Sequence, residues 1–166
     1  MTLATAPASA GSKAASDEFQ LVVFELGDER YGLDIATVYE IIRYQPVTAV
    51  PQAPSFVEGV INLRGRIIPV VDLRRRFGMV AGELTKASRI VVCEAAGTRV
   101  GLVVDGVSEV LMVPADAIEQ TPEVASGYDT QYLRGIAKLG ERLVILLDLG
   151  GLFGETDAAA LVAAAA

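Results

Sequence analysis

Two aspartates occupy positions that could support acid–base chemistry. Asp72 and Asp148 each follow an apolar stretch and each precede a leucine. A pair of carboxylates in different environments can serve a hydrolase as general acid and general base. However, the two aspartates stand in matching local sequences, and an aspartate between a strand and a short turn is typical of a helix N-cap. We therefore expect Asp72 and Asp148 to be structural.

The composition excludes most other chemistry. The chain has no histidine and a single cysteine, Cys93. This removes the commonest general base near neutral pH and leaves too few ligands for a zinc cluster. The sequence also lacks the phosphate-loop, dinucleotide and nucleophile-elbow motifs. We therefore expect no enzymatic activity, no cofactor and no metal, and we expect Cys93 to be a buried apolar residue rather than a reactive thiol.

Charge and hydropathy limit the classes of partner. The net charge of −7 argues against nucleic acid, and the one basic run, Arg74–Arg76, is typical of a solvated surface. No apolar run approaches the roughly 20 residues that a membrane helix needs. Residues 1–16 lack the basic start and apolar core of a signal peptide. These features predict a cytoplasmic protein that does not insert into the membrane.

The chain contains an internal duplication. Sliding the sequence over itself places Leu21–Glu25 over Ile90–Glu94 and, further along, Asp72–Gly78 over Asp148–Gly154. The offset is larger in the later part, so the second copy has the longer central loop, Pro114–Tyr132. That loop is either a contact site or a simple surface excursion.

Each copy is expected to form five short β-strands, because its apolar runs are brief and rich in Val and Ile. The predicted strands are 19–26, 30–34, 37–43, 58–63 and 66–71 in the first copy, and 88–95, 98–104, 107–112, 132–138 and 142–148 in the second. Small sheets lose their exposed edges by curling into barrels. We predict an all-β fold of two similar five-stranded SH3-like barrels, packed with pseudo-symmetry and carrying short helical turns.

The same pattern predicts the domain organisation. A flexible tail, 1–17, precedes a domain spanning 18–154, and an Ala-rich tail, 155–166, follows it. Within the domain the two half-barrels cover about 19–86 and 88–154. The seam between them is expected to be a groove with apolar walls.

Positions that differ between the copies are where function can lie. Arg64, at a predicted hairpin tip, is matched by Gly140, so the hairpin does not require arginine there. Arg64 is either a binding residue or a solvated surface residue, and the residues alone leave both open. Pro69, matched by Ile145, lies inside a predicted strand. A proline there indicates either an edge strand or a bulge, and the bulge is slightly favoured.

Glu40 is matched by Glu109. Because the residue is kept in both copies, a role in binding is less expected for Glu40 than a role in the fold. A glutamate in an apolar strand needs a partner if it is buried. Arg64 is one candidate for that partner.

Several segments resemble the CheW family of chemotaxis coupling proteins. The run Glu58–Arg74 contains Asn-Leu-Arg-Gly followed, after three residues, by Pro-Val-Val-Asp-Leu, which resembles the family signature closely. The segments Phe24–Ile35, Gly101–Val110 and Tyr132–Ile136 resemble the family as well. The likeness covers roughly residues 18–153.

The resemblance implies two intertwined barrels that form an adaptor without catalysis. Such adaptors couple chemoreceptors to the chemotaxis histidine kinase in signal transduction, binding the receptor's cytoplasmic tip and the kinase's regulatory domain at membrane receptor arrays. The family's receptor-binding surface maps onto Val38, Glu40, Gly59, Arg64 and Val110, and Val124 is a candidate kinase contact. The alternatives are a coupling protein of a related array controlling surface motility or biofilm formation, and a carboxylate-only hydrolase.

Overall fold

The computed structural model describes residues 18–80, 82–95, 97–119 and 133–149, and this part of the chain is mostly β-structure. The strands are β1 Glu18–Leu26, β2 Glu29–Asp34, β3 Val38–Arg43, β4 Val57–Leu63, β5 Arg66–Asp72, β6 Arg89–Ala95, β7 Thr98–Val104, β8 Gly106–Pro114, β9 Ile118–Glu119, β10 Leu133–Leu139 and β11 Arg142–Leu147. One helical turn, α1, covers Leu73–Arg76, and 3-10 turns cover Ile35–Thr37 and Ala115–Ala117. The ten predicted strands lie within about two residues of observed ones. The short strand β9 was not predicted.

The strands form two sheets with the same internal order. The six-stranded sheet has the order β8-β1-β2-β11-β10-β9, and the five-stranded sheet has the order β3-β6-β7-β5-β4. We call these the first and the second barrel. The sequence repeat matches β1 with β6, β2 with β7, β3 with β8, β4 with β10 and β5 with β11. Under that match the two orders coincide, apart from β9, which confirms the predicted all-β, pseudo-symmetric pair.

Each barrel takes its first hairpin from the other copy. Strands β1 and β2 belong to the first sequence copy but lie beside β8 and β11 of the second. Strands β6 and β7 of the second copy lie beside β3 and β5 of the first. The junctions β2–β11 and β5–β7 are parallel, whereas the other pairings are antiparallel. The division into 19–86 and 88–154 therefore marks the repeat in the sequence and does not separate the two sheets.

Burial on both faces of the strands explains the continuous apolar runs. On β1, Leu21 and Val23 pack into a core inside the first barrel, whereas Phe24 and Leu26 point to the opposite face. That face joins the largest core cluster, which draws on both barrels and fills the middle of the seam between them. A third core lies inside the second barrel around Ile68. A fully buried leucine such as Leu26 contributes about 2 kcal/mol through burial.

Pro69 does not mark an edge strand. Strand β5 lies between β7 and β4, so the edge interpretation is wrong. The register shift in this hairpin lies in β4, between Val57 and Gly59, rather than at the proline. Pro69 immediately precedes Val70, the residue at which pairing with β7 begins. Its missing N–H therefore falls outside the β5–β7 ladder.

Asp72 is the N-cap that the sequence predicted. Its Oδ1 accepts a hydrogen bond from the Arg74 amide at 3.0 Å, and α1 follows directly. Gly78, with φ of 74°, comes directly after the C-cap of that turn. Asp148 precedes the helical residue Leu149, and the chain beyond Leu149 lies outside the described residues, so the matching cap there stays a prediction. The described ranges contain no helix with the length and apolar character of a membrane span.

Candidate partner-binding surface

Arg64 and Glu40 form an ion pair, through Arg64 Nη2 and Glu40 Oε2. Glu40 lies on β3, and Arg64 lies at the tip of the β4–β5 hairpin. Because β3 and β4 are the two edges of the second barrel's sheet, the pair links those edges. The Arg64 side chain is 69% exposed. An exposed pair of this kind contributes only about 0–1 kcal/mol to folding.

Arg64 occupies a backbone conformation that favours glycine. Its φ is 51°, and the following Gly65 has a φ of 85°. Two positive φ values are what a tight type I′ hairpin turn requires. In the second copy the residue at the matching position is Gly140, with φ of 67°. An arginine there costs roughly 1–2 kcal/mol relative to glycine, which favours a role for its side chain beyond the fold.

The second copy uses a different arginine for the equivalent contact. Arg142 Nη1 lies 3.1 Å from Glu109 Oε2, and Glu109 matches Glu40. Arg142, however, matches Arg66 rather than Arg64. Both barrels thus join an edge-strand glutamate to a hairpin arginine, so part of the role of Glu40 is structural. The placement of Arg64 at the turn tip is the feature that the first copy adds.

Gly59 and Val38 lie on β4 and β3, the edge strands of the same barrel. Gly59 is buried, and a Cβ there would lie 2.1 Å from the Thr48 carbonyl oxygen. The matching Gly135 has the same relation to the Glu119 carbonyl oxygen, at 2.6 Å. Both glycines let a neighbouring segment cross the strand closely. Val38 is half-buried, lies opposite Cys93 and packs against the shared core.

Val110 lies on the other barrel. It belongs to the edge strand β8, stands opposite Val22 and is 49% exposed. The matching residue on β3 is Ile41, which is 38% exposed. The structure thus brings Glu40 and Arg64 into contact, with Val38 and Gly59 on the same barrel, and places Val110 on the edge of the first barrel. Val124 lies outside the described residues.

One surface cluster was missed by the sequence analysis. The Tyr39 hydroxyl donates to Glu94 Oε1 at 2.9 Å, and the Arg99 guanidinium carbon lies 4.0 Å from the Tyr39 ring centroid. Tyr39 is exposed and Arg99 is half-buried, and tyrosine and arginine at a surface are common in binding hot spots. The signal was present, because Tyr39 is matched by Ser108 in the second copy and so differs between the copies.

Asp72 and Cys93, two residues considered for chemistry in the sequence, have roles in the fold. Asp72 caps α1, and its Oδ2 lies 3.5 Å from Arg75 Nε. Burial raises the pKa of the Cys93 thiol to about 12, so the thiolate is strongly disfavoured. Among the described residues no three His, Cys, Asp or Glu side chains come together in a way that could hold a metal ion.

Two joined barrels with an arginine at a hairpin tip and apolar residues on their edge strands define a protein-binding β-scaffold. The family model described as CheW-like domain matches residues 20–157. The chain is 41% identical over 157 residues to the chemotaxis protein CheW of Klebsiella aerogenes, covering 95% of this chain and 93% of that protein.

The crystal structure of the scaffolding protein TtCheW from Thermoanaerobacter tengcongensis is also similar. Its TM-score is 0.78 at 42% identity, covering 85% of this chain and 96% of that chain. Protein FrzA of Myxococcus xanthus is more distant, at 29% identity over 134 residues, covering 80% of this chain and 82% of that protein. The chain belongs to the CheW-like family, and as a member it is a chemotaxis adaptor rather than an enzyme.

Proposed function

We propose that this adaptor binds the cytoplasmic tip of a chemoreceptor and the regulatory domain of a histidine kinase, and so recruits the kinase to membrane receptor arrays. The proposal rests on family membership together with one structural observation, the exposed Arg64 in a turn conformation that favours glycine. The receptor surface comprises Val38, Glu40, Gly59, Arg64 and Val110. Val124 is the proposed kinase contact.

The chemistry of the surface suits an amphipathic helix. Ile41 and Val110 supply exposed apolar area on the two edge strands, and a helix presenting its apolar face can cover such residues. Arg64 presents a planar guanidinium with several donors to polar groups at the rim. The pairing with Glu40 holds this guanidinium in a limited set of positions before a partner arrives.

Co-sedimentation with receptor-bearing membranes tests the surface. Arg64→Glu should fold normally and bind receptor at least about tenfold more weakly, as expected for loss of a charge-assisted contact. Arg64→Gly should weaken binding too, while giving the hairpin the residue that the second copy uses. Lys138→Glu, on β10 of the other barrel, reverses an exposed cation that pairs with Glu119, so it is the charge-matched control and should bind like the wild type. Undiminished sedimentation of Arg64→Glu would count against the surface.

Kinase coupling needs a separate experiment. The chain should raise autophosphorylation of the kinase only when receptor is present. Val124→Glu should reduce this activation while leaving co-sedimentation with receptor membranes unchanged. Activation that does not depend on receptor would contradict coupling.

A related array that controls surface motility or biofilm formation is the second candidate. The similarity to Protein FrzA is the observation that supports this second candidate. Mixing the chain with receptors and kinases of each system separates the two, because the correct set alone should show receptor-dependent kinase activation.

A further inference from the structure

A basic pocket of about 470 Å³ opens where the paired strands β3 and β6 meet the segment before β6. Its lining consists of Arg43, Tyr44, Thr85, Lys86, Ser88 and Arg89. Three of these side chains are cations and none is a carboxylate. In a chain of net charge −7, such a concentration of positive charge is unexpected.

Two of the cations stand directly opposite each other. Arg43 of β3 is the register partner of Arg89 of β6. Like charges at directly opposite positions destabilise an antiparallel pair. The second copy avoids this cost, because the matching positions on β1 and β8 are Gln20 opposite Met112. The fold therefore does not need the arginine pair, and a bound anion would remove the repulsion.

The turn beside the pocket is already ordered by internal hydrogen bonds. The Thr85 amide donates to Ser88 Oγ at 2.8 Å, and the Ala87 amide donates to Thr85 Oγ1 at 3.0 Å. Arg89 Nη1 donates to the carbonyls of Lys86 and Ser88, at 2.7 and 2.9 Å. The guanidinium of Arg89 is thus held at the pocket wall. Because this side chain is already ordered, binding a ligand has a smaller entropic cost.

The surrounding acidic groups leave the cations unneutralised. Glu58 accepts a hydrogen bond from the Tyr44 hydroxyl at 2.5 Å and, within the described residues, forms no ion pair with the cations of the pocket. Within the described ranges, no carboxylate lies at ion-pair distance from Arg43, Lys86 or Arg89.

We propose that this pocket binds a phosphate group, carried either by a free small molecule or by an anionic lipid headgroup. Two guanidinium groups and one ammonium supply more donors than a single carboxylate can accept, whereas a phosphate presents enough oxygens for all three. The pocket volume exceeds that of phosphate alone and lies within the range of about 300–1,000 Å³ typical of small-ligand sites. The proposal does not depend on receptor binding.

Titration of the full chain with inorganic phosphate and pyrophosphate tests the site. Binding should shift the backbone amide NMR signals of residues 85–89 and raise the melting temperature, and sodium chloride at equal ionic strength should do neither. The double variant Arg43→Met/Arg89→Gln installs the residues of the second copy, so it should fold and lose at least about tenfold in affinity. Arg66→Met, which removes an exposed arginine elsewhere, should bind like the wild type.

Vesicles separate the two sources of phosphate. Sedimentation with phosphatidylglycerol vesicles but not with phosphatidylcholine vesicles, lost in the double variant, assigns the site to a lipid headgroup. Binding of the free anions alone assigns it to a small molecule. The proposal is overturned if the double variant binds the phosphate probes and vesicles as the wild type does, if chloride has the same effect, or if only an oligoglutamate peptide binds.

Discussion

Arg74 holds Asp105 through both carboxylate oxygens, with Nε 3.1 Å from Oδ1 and Nη2 2.5 Å from Oδ2. Asp105 Oδ2 also accepts a hydrogen bond from the Gly27 amide at 2.8 Å. The carboxylate therefore joins the β1–β2 turn of the first barrel to α1, which follows β5 of the second. Partial burial alone would raise the pKa of Asp105, but these hydrogen bonds and the charge of Arg74 outweigh it and hold the pKa below its usual value.

This carboxylate should make stability sensitive to acid. Because the folded-state pKa of Asp105 is depressed, its contribution is fully present above the unfolded value of about 3.9 and is lost as pH falls through the folded-state pKa. Asp105→Asn should destabilise the protein by about 1–2 kcal/mol near neutral pH and should show a smaller further loss below about pH 4. Thermal melts from neutral to acidic pH measure both. Parallel curves for the two proteins would refute the assignment.

The cap on α1 predicts a contrast between two substitutions at one position. Asp72→Ala should lower the free energy of unfolding by about 1 kcal/mol, because the Arg74 amide loses its acceptor. Asp72→Asn should cost less, since asparagine is also a good N-cap. Urea unfolding curves measure the difference. Equal losses for both variants would mean that the negative charge, which also faces Arg75, matters more than the cap.

The close approach at Gly59 predicts a large effect from one methyl group. In Gly59→Ala the new Cβ would meet the Thr48 carbonyl oxygen, a backbone atom that cannot move without breaking the Thr48–Val60 bridge. A loss of more than about 3 kcal/mol is expected in chemical denaturation. Gly65→Ala is the control, because its φ is also positive but its surroundings are open, and it should cost only about 1–2 kcal/mol. Similar losses at both positions would contradict the steric explanation.

Arg64→Gly should be close to neutral for folding. The substitution removes left-handed strain of about 1–2 kcal/mol and forfeits an exposed ion pair of about 0–1 kcal/mol. Glycine also makes the unfolded chain more flexible, which lowers the free energy of unfolding by about 0.5–1 kcal/mol and offsets part of the gain from the removed strain. Differential scanning calorimetry should therefore show little change in melting temperature. A loss above about 2 kcal/mol would show that the ion pair matters far more to the fold than its exposure indicates.

Cys93 should report on unfolding. As the only cysteine, buried and with a pKa raised to about 12, it should not react with a thiol reagent at mildly alkaline pH while the protein is folded. Reaction should become fast in denaturant, where the thiol regains a pKa of about 8.5. The rate of labelling in native buffer therefore measures opening of the shared core. Rapid labelling of the folded protein would contradict the burial.

The sequence was most informative where the two copies could be compared. Gly59 and Gly135 occupy matching positions in the two copies, and both make the same close approach to a carbonyl oxygen, so the repeat marks a position that the fold needs. Strand positions were predictable because burial on both faces produces compact apolar runs. Strand β9 was missed, since two residues are too short to carry an alternating pattern.

Sheet composition and side-chain contacts were harder to predict from the residues alone. The exchange of the first hairpins depends on long-range pairing between β2 and β11, which no local pattern encodes. The Arg64–Glu40 contact was only one candidate, because the glutamate's strand and the hairpin are far apart in sequence. Pro69 misled the edge assignment because local proline rules do not reveal where a neighbouring parallel strand begins to pair.

The exchanged hairpins give the molecule the architecture of a domain-swapped dimer whose two subunits are fused end to end. Half of the chain, produced by itself, would have to find two missing strands in another molecule, so it should associate rather than fold as a monomer. Cutting the connection between the halves should correspondingly yield fragments that remain associated. The two halves should therefore not fold as independent modules, because each half supplies two strands to the other half's sheet.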